Sequence, residues 1–152
     1  MTTKSSGFTL IELLVVVAIL GIIAAVGTLS YSGYVKSTKK KSAENIMRQI
    51  SLAQTEYYSE NGLYYTGSGG GSSCTPTEGT SEAIETNLLG GAKVIIDSNQ
   101  TPKKAISGYY ICVSEDTDPA KKFRVIALDA DNSQGCKITL WGNNSLERDK
   151  NC

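Results

Sequence analysis

An almost uninterrupted apolar stretch runs from Phe8 to Val35 near the start of the chain. It contains one ionised residue, Glu12, and the 23 residues from Leu13 to Val35 carry no charge. A helix of that length is about 34 Å long, enough to cross a hydrocarbon core of about 30 Å. The stretch therefore predicts a membrane-spanning helix. A carboxylate in such a helix is costly, so Glu12 should either lie among headgroups at the interface or bind a cation on another subunit.

The pattern becomes amphipathic after Val35. Glu44 and Arg48 are spaced as an i, i+4 ion pair on the polar face. Apolar residues recur at the i, i+3, i+4, i+7 spacing of a helix with one buried stripe: Ala43, Ile46, Met47, Ile50, Ala53 and Tyr57. This helix should end near residue 60, at Ser59–Gly62, because Asn and Gly readily adopt the left-handed conformation of a C-cap.

Residues 61–91 are expected to form the connection between this helix and a sheet. Thr66–Ser73 is a flexible loop by composition, and Ser81–Leu89 predicts a short helix that Gly90 and Gly91 end. The loop lacks the Lys-Ser/Thr pair of a phosphate-binding loop, so nucleotide binding is not expected.

From Ala92 onward the pattern predicts short strands. Four segments are rich in β-branched and aromatic residues and are separated by turn residues: Val94–Asp97, Ser107–Ser114, Lys122–Asp129 and Cys136–Trp141. The connections are short, so the sheet, over residues 92–141, should be an antiparallel meander packed on the amphipathic half of the helix. The predicted fold class is α+β, with a long N-terminal helix on a sheet of about four strands.

Charge and composition narrow the classes of function. The chain has 152 residues, with 15 Lys+Arg balanced by 15 Asp+Glu, and it has no histidine. The balanced charge gives no general footprint for nucleic acid. The lack of histidine excludes Ser-His-Asp and Cys-His catalysis and His-ligated zinc. We therefore expect no enzyme activity, no cofactor and no metal.

Four cysteines lie outside the apolar stretch, at Cys74, Cys112, Cys136 and Cys152, with no CxxC spacing between any two. In an exported chain an even number of scattered cysteines indicates disulfides formed in an oxidising compartment. Four cysteines allow three pairings, and the residues alone do not choose among them.

The N-terminal residues carry a family resemblance. Gly-Phe-Thr-Leu-Ile-Glu at 7–12, followed by LLVVVAILGIIAA, resembles the N-terminus of type IV pilins and the related pseudopilins, and the likeness extends to about residue 65. The resemblance implies that a prepilin peptidase cuts after Gly7 and N-methylates Phe8. It also implies that Glu12 binds the ammonium group of Phe8 on a neighbouring subunit. In a single subunit the Phe8 amine lies one helical turn from its own Glu12, so a self-pair is the alternative.

The same resemblance implies how the whole chain is divided. It implies a leader at 1–7 that is removed, a transmembrane and polymerisation helix at 8–35, and a head at 36–152. Pairing Cys136 with Cys152 resembles the disulfide-bounded loop near the pilin C-terminus, at 136–152, and leaves Cys74 to pair with Cys112.

Many pilins carry a proline where this chain has Gly-Thr-Leu-Ser at 27–30. Melting of the helix between Gly21 and Leu29 in a filament is therefore less strongly specified.

Two lysine cues for membrane orientation disagree. Lys4, next to the apolar stretch, favours a cytoplasmic N-terminus, whereas the cluster after the stretch, taken alone, favours the reverse. That cluster consists of Lys36, Lys39, Lys40 and Lys41. We expect it to meet the anionic membrane surface or acidic groups on a neighbouring subunit.

The favoured function is structural. The chain resembles a type IVa-like major or minor pilin that starts in the inner membrane and ends in an extracellular pilus for adhesion, twitching motility or DNA uptake. Its implied partners are copies of itself or co-pilins, the prepilin peptidase and the inner-membrane assembly machinery. The alternatives are a minor pilin that acts as a DNA receptor in natural competence and a pseudopilin of a type II secretion system.

Two sets of charged residues suggest more specific functions, DNA binding and calcium binding. A basic patch for DNA is conceivable from Lys103, Lys104, Lys121, Lys122 and Arg124, but interleaved acids and the neutral net charge count against it. Residues 129–135 begin like a calcium loop, yet they lack glycine at the sixth place and have Leu140 where the bidentate glutamate belongs. We therefore interpret the carboxylates of this region as solvated turns: Glu115, Asp116, Asp118, Asp129 and Asp131.

Overall fold

The computed structural model describes residues 7–67, 73–132 and 134–152. The central part of the predicted loop, residues 68–72, and Ser133 lie outside this range. The elements are α1 (Leu10–Asn61), α2 (Glu78–Asn87), β1 (Ile96–Asp97), β2 (Lys104–Ala105), β3 (Tyr109–Glu115), β4 (Phe123–Asp129), β5 (Lys137–Trp141) and β6 (Leu146–Arg148). Strands β3, β4, β5 and β6 form an antiparallel meander, which confirms the α+β class, and β1 and β2 form a separate two-stranded sheet.

The chain divides into two compact units, the first ending at Thr38 and the second comprising Lys39–Cys152. In the first unit, α1 is long and apolar enough to cross a membrane, and none of its most apolar window is buried within the structure. The helix runs without interruption past Gly21 and Gly27, where the sequence left local melting open. The side chain of Leu29 lies outside the described residues.

The second unit contains the core. The α1 residues predicted to form a buried stripe supply part of it, with Ala43, Met47 and Ile50 fully buried. The sheet supplies two cross-strand rows, Ile111–Ala127–Ile138 and Val113–Val125–Leu140, whose side chains alternate with those of the opposite face. All nine of these residues belong to one hydrophobic cluster. The period-3.6 pattern of α1 and the period-2 pattern of the strands thus meet in a single core.

The C-terminal end of α1 lies where the Asn-Gly pair predicted it. Gly62 has φ +72° and its amide donates to the Tyr58 carbonyl at 2.8 Å, the left-handed C-cap geometry. About two turns earlier, buried Gln54 donates to the Tyr65 carbonyl at 2.6 Å and accepts from the Tyr65 amide at 2.8 Å. This polar residue, which the apolar pattern does not reveal, ties the segment after the helix back to α1.

The predicted Glu44–Arg48 pair is wrong. Glu44 accepts from Arg148 of β6 at 2.7 Å, and Arg48 donates to Asn144 at 3.1 Å. The carboxylate of Glu44 raises the pKa of the Arg148 guanidinium. Both contacts join residues about 100 positions apart in the chain, whereas the helical spacing rule describes only pairs three or four positions apart.

The prediction that Val94–Asp97 belongs to the main sheet is also wrong. Only Ile96–Asp97 is a strand, and it pairs with β2. The cause is Glu85 of α2, whose fully buried carboxylate accepts from the amides of Ile95 and Ile96 at 2.7 and 2.9 Å. Those amides are satisfied by a side chain rather than by a neighbouring strand of the main sheet.

The fourth strand of the main sheet is β6, which lies in the segment interpreted as a disulfide loop. Leu140 pairs with Leu146 and Ile138 with Arg148. Helix α2 begins at Glu78, three residues before the predicted start, because Thr77 and Thr80 form a reciprocal capping box.

Two disulfides lie in the second unit. Cys74 is bonded to Cys112 of β3, and Cys136 is bonded to Cys152. These are the pairs that the resemblance favoured. The first closes 38 residues of sequence and the second 16. In the chain-entropy account, each contributes about 3–4 kcal/mol by restricting the unfolded chain.

Candidate functional site

The predicted processing junction precedes α1. Gly7 and Phe8 are both exposed and lie outside regular secondary structure, and the Phe8 side chain is 84% exposed. A Cβ placed on Gly7 meets no atom within 4 Å. The junction is therefore open to an enzyme that binds extended backbone. The remainder of the predicted leader, residues 1–6 with Lys4, lies outside the described residues.

Glu12 lies in the first turn of α1, where it forms a capping box with Thr9. Its Oε2 accepts from the Thr9 amide at 2.8 Å and from the Thr9 hydroxyl at 2.7 Å. In return, the Glu12 amide donates to the Thr9 hydroxyl at 3.3 Å. Two amides that the helix leaves unpaired at its N-terminus are thus satisfied, and the carboxylate lies at the positive end of the helix dipole.

Thr9 was missed as a partner of Glu12, although a signal for it is present. Thr-x-x-Glu before an apolar run is the sequence pattern of a capping box, and Thr9-Leu10-Ile11-Glu12 fits it. Phe8, the partner of Glu12 in the alternative self-pair, is joined to Gly7 by a peptide bond in the uncut chain. Its nitrogen is therefore an amide and not the ammonium that an ion pair requires.

The far end of the apolar segment carries interface residues. Tyr31 and Tyr34 are each 70% exposed, and Lys36 lies two residues after Tyr34. Exposed tyrosines followed by lysines are typical of a helix where it leaves the hydrocarbon region. Within the second unit, Lys40 donates to the main-chain oxygen of Cys152 at 2.7 Å, so this lysine has a partner inside the chain.

Three of the five basic residues considered for DNA binding, Lys103, Lys121 and Arg124, have side-chain partners in the head. Lys103 donates to Glu82, and this bond raises the pKa of Lys103 and lowers that of Glu82. The Nζ of Lys121 lies 3.9 Å from the Oδ2 of Asp118 and 5.2 Å from the centre of the Trp141 ring. Arg124 donates to the Ser114 hydroxyl at 3.0 Å.

Three of the five carboxylates interpreted as solvated turns accept hydrogen bonds from turn amides: Asp116, Asp118 and, in the suspected calcium loop, Asp129. Asp129 accepts from the Asp131 amide at 3.0 Å, and Asp116 and Asp118 bond the amides two residues after them in the same way. Within the described ranges there is no group of three or more metal-binding side chains, and Ser133 of the loop is not among those residues.

A comparison with models of known protein families matches the N-terminal segment of the chain. The family model described as "Prokaryotic N-terminal methylation motif" matches residues 2–28, which include Gly7, Phe8 and Glu12. The chain therefore carries the N-terminal motif of prokaryotic N-methylated proteins. No solved structure matches it significantly.

Curated relatives extend the likeness. The chain is 43% identical over 58 residues to the fimbrial protein EcpC of Eikenella corrodens, a match that covers 38% of each protein. It is 36% identical over 142 residues to a type IV major pilin protein, PilE1, of Neisseria gonorrhoeae, covering 93% of this chain and 70% of that protein. Other matches cover about two fifths of the relative's length or less. The match to the type IV major pilin protein PilA of Myxococcus xanthus, for example, covers 28% of that protein. Because the likeness to PilE1 covers 93% of this chain and 70% of that protein, the chain belongs to the type IV pilin family.

Proposed function

We propose that this protein is a structural subunit of a type IV pilus, which polymerises through α1 into an extracellular filament. The observation that carries the proposal is the first unit. Its large apolar side chains are exposed along the helix, and a single acid lies in the first turn. Such a surface is stable only in lipid or against other apolar helices, and a subunit that moves from the membrane into a filament meets both surroundings in turn.

Processing supplies the partner of the acid. We infer that a prepilin peptidase cuts between Gly7 and Phe8, releases residues 1–7 and methylates the new amine. Cleavage converts an amide nitrogen into an ammonium group next to the apolar helix. Since a buried charge needs a partner of opposite sign, the Phe8 ammonium of one subunit and the Glu12 carboxylate of another satisfy each other in the filament.

The local bonds of Glu12 fit this order of events. In the uncut chain the carboxylate is held by two bonds from Thr9, so it has local donors before an ammonium exists. An ammonium is a stronger partner for a carboxylate than a neutral hydroxyl. Glu12 is therefore available to a neighbouring subunit once processing has occurred, and the pair fixes the register of one helix against the next.

The head is the part that the filament displays. Two disulfides and a core drawn from α1, α2 and the strands make it an independently stabilised unit. It suits an exported surface, where adhesion, twitching motility and DNA uptake are the candidate roles. The pairing of Lys103, Lys121 and Arg124 within the head gives no support to the DNA-receptor alternative.

Electron microscopy of fibres sheared from the cell surface, followed by intact-mass measurement of their subunit, tests this function. We expect fibres whose subunit lacks residues 1–7, carries one methyl group and contains two disulfides. Gly7→Phe should leave an uncut precursor in the membrane and no fibres. A conservative change in the head, such as Gln49→Glu on the exposed face of α1, serves as a control and should be cut normally. Fibres built from uncut subunits would contradict the processing step.

A further inference from the structure

The chain contains two Asn-x-Ser/Thr sequences, Asn99-Gln100-Thr101 and Asn143-Asn144-Ser145. This triplet is the acceptor of N-linked glycans when it lies on the surface of an exported protein. The two triplets differ in how the fold presents them, and the comparison between them points to one of the two.

Asn99 lies in the exposed connection between β1 and β2. Residues 98–102 are all exposed, and the Thr101 hydroxyl makes no hydrogen bond within the described part of the chain. The Asn99 side chain interacts with the carboxylate of Asp97, two residues before it in the same loop. Asp97 fixes the turn, because its Oδ1 accepts from the Asn99 amide at 3.0 Å and its Oδ2 accepts from the Gln100 side chain at 2.7 Å. A glycosyl-transferring enzyme must bind the carboxamide of Asn99 and the hydroxyl of Thr101. The hydroxyl is free, and the carboxamide interacts with an acid of its own loop and not with the hydroxyl of its own triplet.

Asn143 is held in a tight turn of the main sheet. Its Oδ1 accepts from the Ser145 amide at 3.0 Å and from the Ser145 hydroxyl at 2.6 Å. The amide of Asn144 donates to the Trp141 carbonyl, and that of Trp141 donates to the Ser145 carbonyl, so the turn closes the β5–β6 ladder. The carboxamide and hydroxyl of this triplet bind each other, and an enzyme must break the hairpin to use them.

The flanking strands sharpen the difference. The Asn99 connection joins strands of two residues each, outside the main sheet, whereas the Asn143 turn joins a five-residue strand to a three-residue strand of that sheet. Short, peripheral pairings open at lower free energy than core strands. The loop with Asn99 therefore adapts to an enzyme site more readily than the turn with Asn143.

We propose that Asn99 is an N-glycosylation site of the exported head. The donor is a glycan linked to a membrane lipid through pyrophosphate, and the enzyme is an oligosaccharyltransferase on the outer face of the membrane. The Asn99 amide nitrogen forms a bond to the anomeric carbon of the first sugar while the bond from that carbon to the pyrophosphate oxygen breaks. The lipid pyrophosphate leaves with the electron pair, and a base of the enzyme takes one amide proton.

The site requires only that residues 36–152 reach the compartment where the disulfides form, and it does not require the filament. Chain purified from the producing cells, whether from fibres or from membranes, is cut with trypsin after reduction. Residues 94–103 and 138–148 then fall on separate peptides with one triplet each. We expect a glycan mass on the first peptide, with fragmentation placing it at Asn99, and the second peptide unmodified.

Variants separate the acceptor from the fold. Asn99→Gln and Thr101→Ala should each abolish the modification, Thr101→Ser should retain it, and Asn143→Gln should leave it unchanged. An unmodified 94–103 peptide from the wild-type chain overturns the proposal, as does a glycan that persists in Asn99→Gln. If no fibres form but the exported chain carries the glycan, the pilus function fails while the modification site stands.

Discussion

The two parts of α1 handle apolar surface in opposite ways. In the first unit, side chains such as those of Leu13 and Leu14 are about 60% exposed. In the second unit, from Lys39 to Asn61, the helix buries apolar residues in the core cluster, and its polar residues other than Gln54 are at least partly exposed. The buried apolar residues are Ala43, Ile46, Met47 and Ile50. The first part must find its partners outside the chain, whereas the second part finds them inside. Substitutions in the first part should therefore change assembly, and those in the second should change folding.

The polar groups follow the same division. Among the described residues, Glu12 bonds only Thr9, three positions before it, and it is exposed. Glu85, in the head, is fully buried and binds two amides ten and eleven positions away together with Lys93 at 3.2 Å. A carboxylate built into the core is part of the fold, whereas a carboxylate satisfied only by its own turn is available to a partner.

The largest effect on folding is expected for Glu85→Ala. The amides of Ile95 and Ile96 would lose their acceptor inside the core, at a cost of about 3–5 kcal/mol in the free energy of unfolding. Chemical denaturation of the full chain in detergent, followed by the fluorescence of Trp141, the only tryptophan, measures this loss. Glu85→Gln retains an acceptor oxygen and should lose much less. Equal losses for the two variants would contradict the role of the buried acceptor.

Met47→Ala compared with Leu52→Ala tests the two faces of α1 within the head. Met47 is fully buried and Leu52 is 73% exposed. We expect a loss of about 2–5 kcal/mol for Met47→Ala from the cavity it leaves, and little change for Leu52→Ala. Leu14→Ala in the first unit should leave the same unfolding curve unchanged and reduce the yield of fibres. A head destabilised by Leu14→Ala would remove the distinction between the two parts of the helix.

The smallest effect concerns acid pH. The bond from Lys103 lowers the pKa of Glu82 below its ordinary value of 4.5. The stabilisation is therefore complete above the unfolded pKa and is lost as the pH falls through the folded pKa. Because Glu82 is on the surface, the effect should be small. Between about pH 6 and about pH 3, the Tm of Glu82→Gln should fall slightly less than that of wild type, and an equal fall for both would contradict the assignment.

The elements that follow a regular period could be predicted from the sequence. The buried stripe of α1, its end at Gly62 and strands β3, β4 and β5 all lie within two residues of the prediction. What escaped prediction depends on partners distant in sequence. Glu44 binds Arg148, Glu85 replaces a strand for Ile95 and Ile96, and Leu146–Arg148 is too short to show alternation.

The candidate site also combines features that could be predicted from the sequence with features that could not. Motif positions such as Gly7 and Phe8 are read directly from the sequence, and their roles stay predictions about events between chains. The Thr9–Glu12 box was also readable, because its spacing is local. The contrast between Asn99 and Asn143 could not be predicted, since the two triplets look alike until the fold shows that the Ser145 hydroxyl binds Asn143.

The central claim is that the charge of Glu12 holds one apolar helix in register with the next. Counting surface fibres of Glu12→Gln by electron microscopy tests it most directly, because glutamine keeps the shape and an acceptor for Thr9 but has no charge. Thr9→Val, which removes the hydroxyl and keeps the charge, is the matched control. We expect the Glu12→Gln chain to insert in the membrane, fold its head and form few or no fibres, while Thr9→Val forms them. Normal fibres from Glu12→Gln would contradict the account.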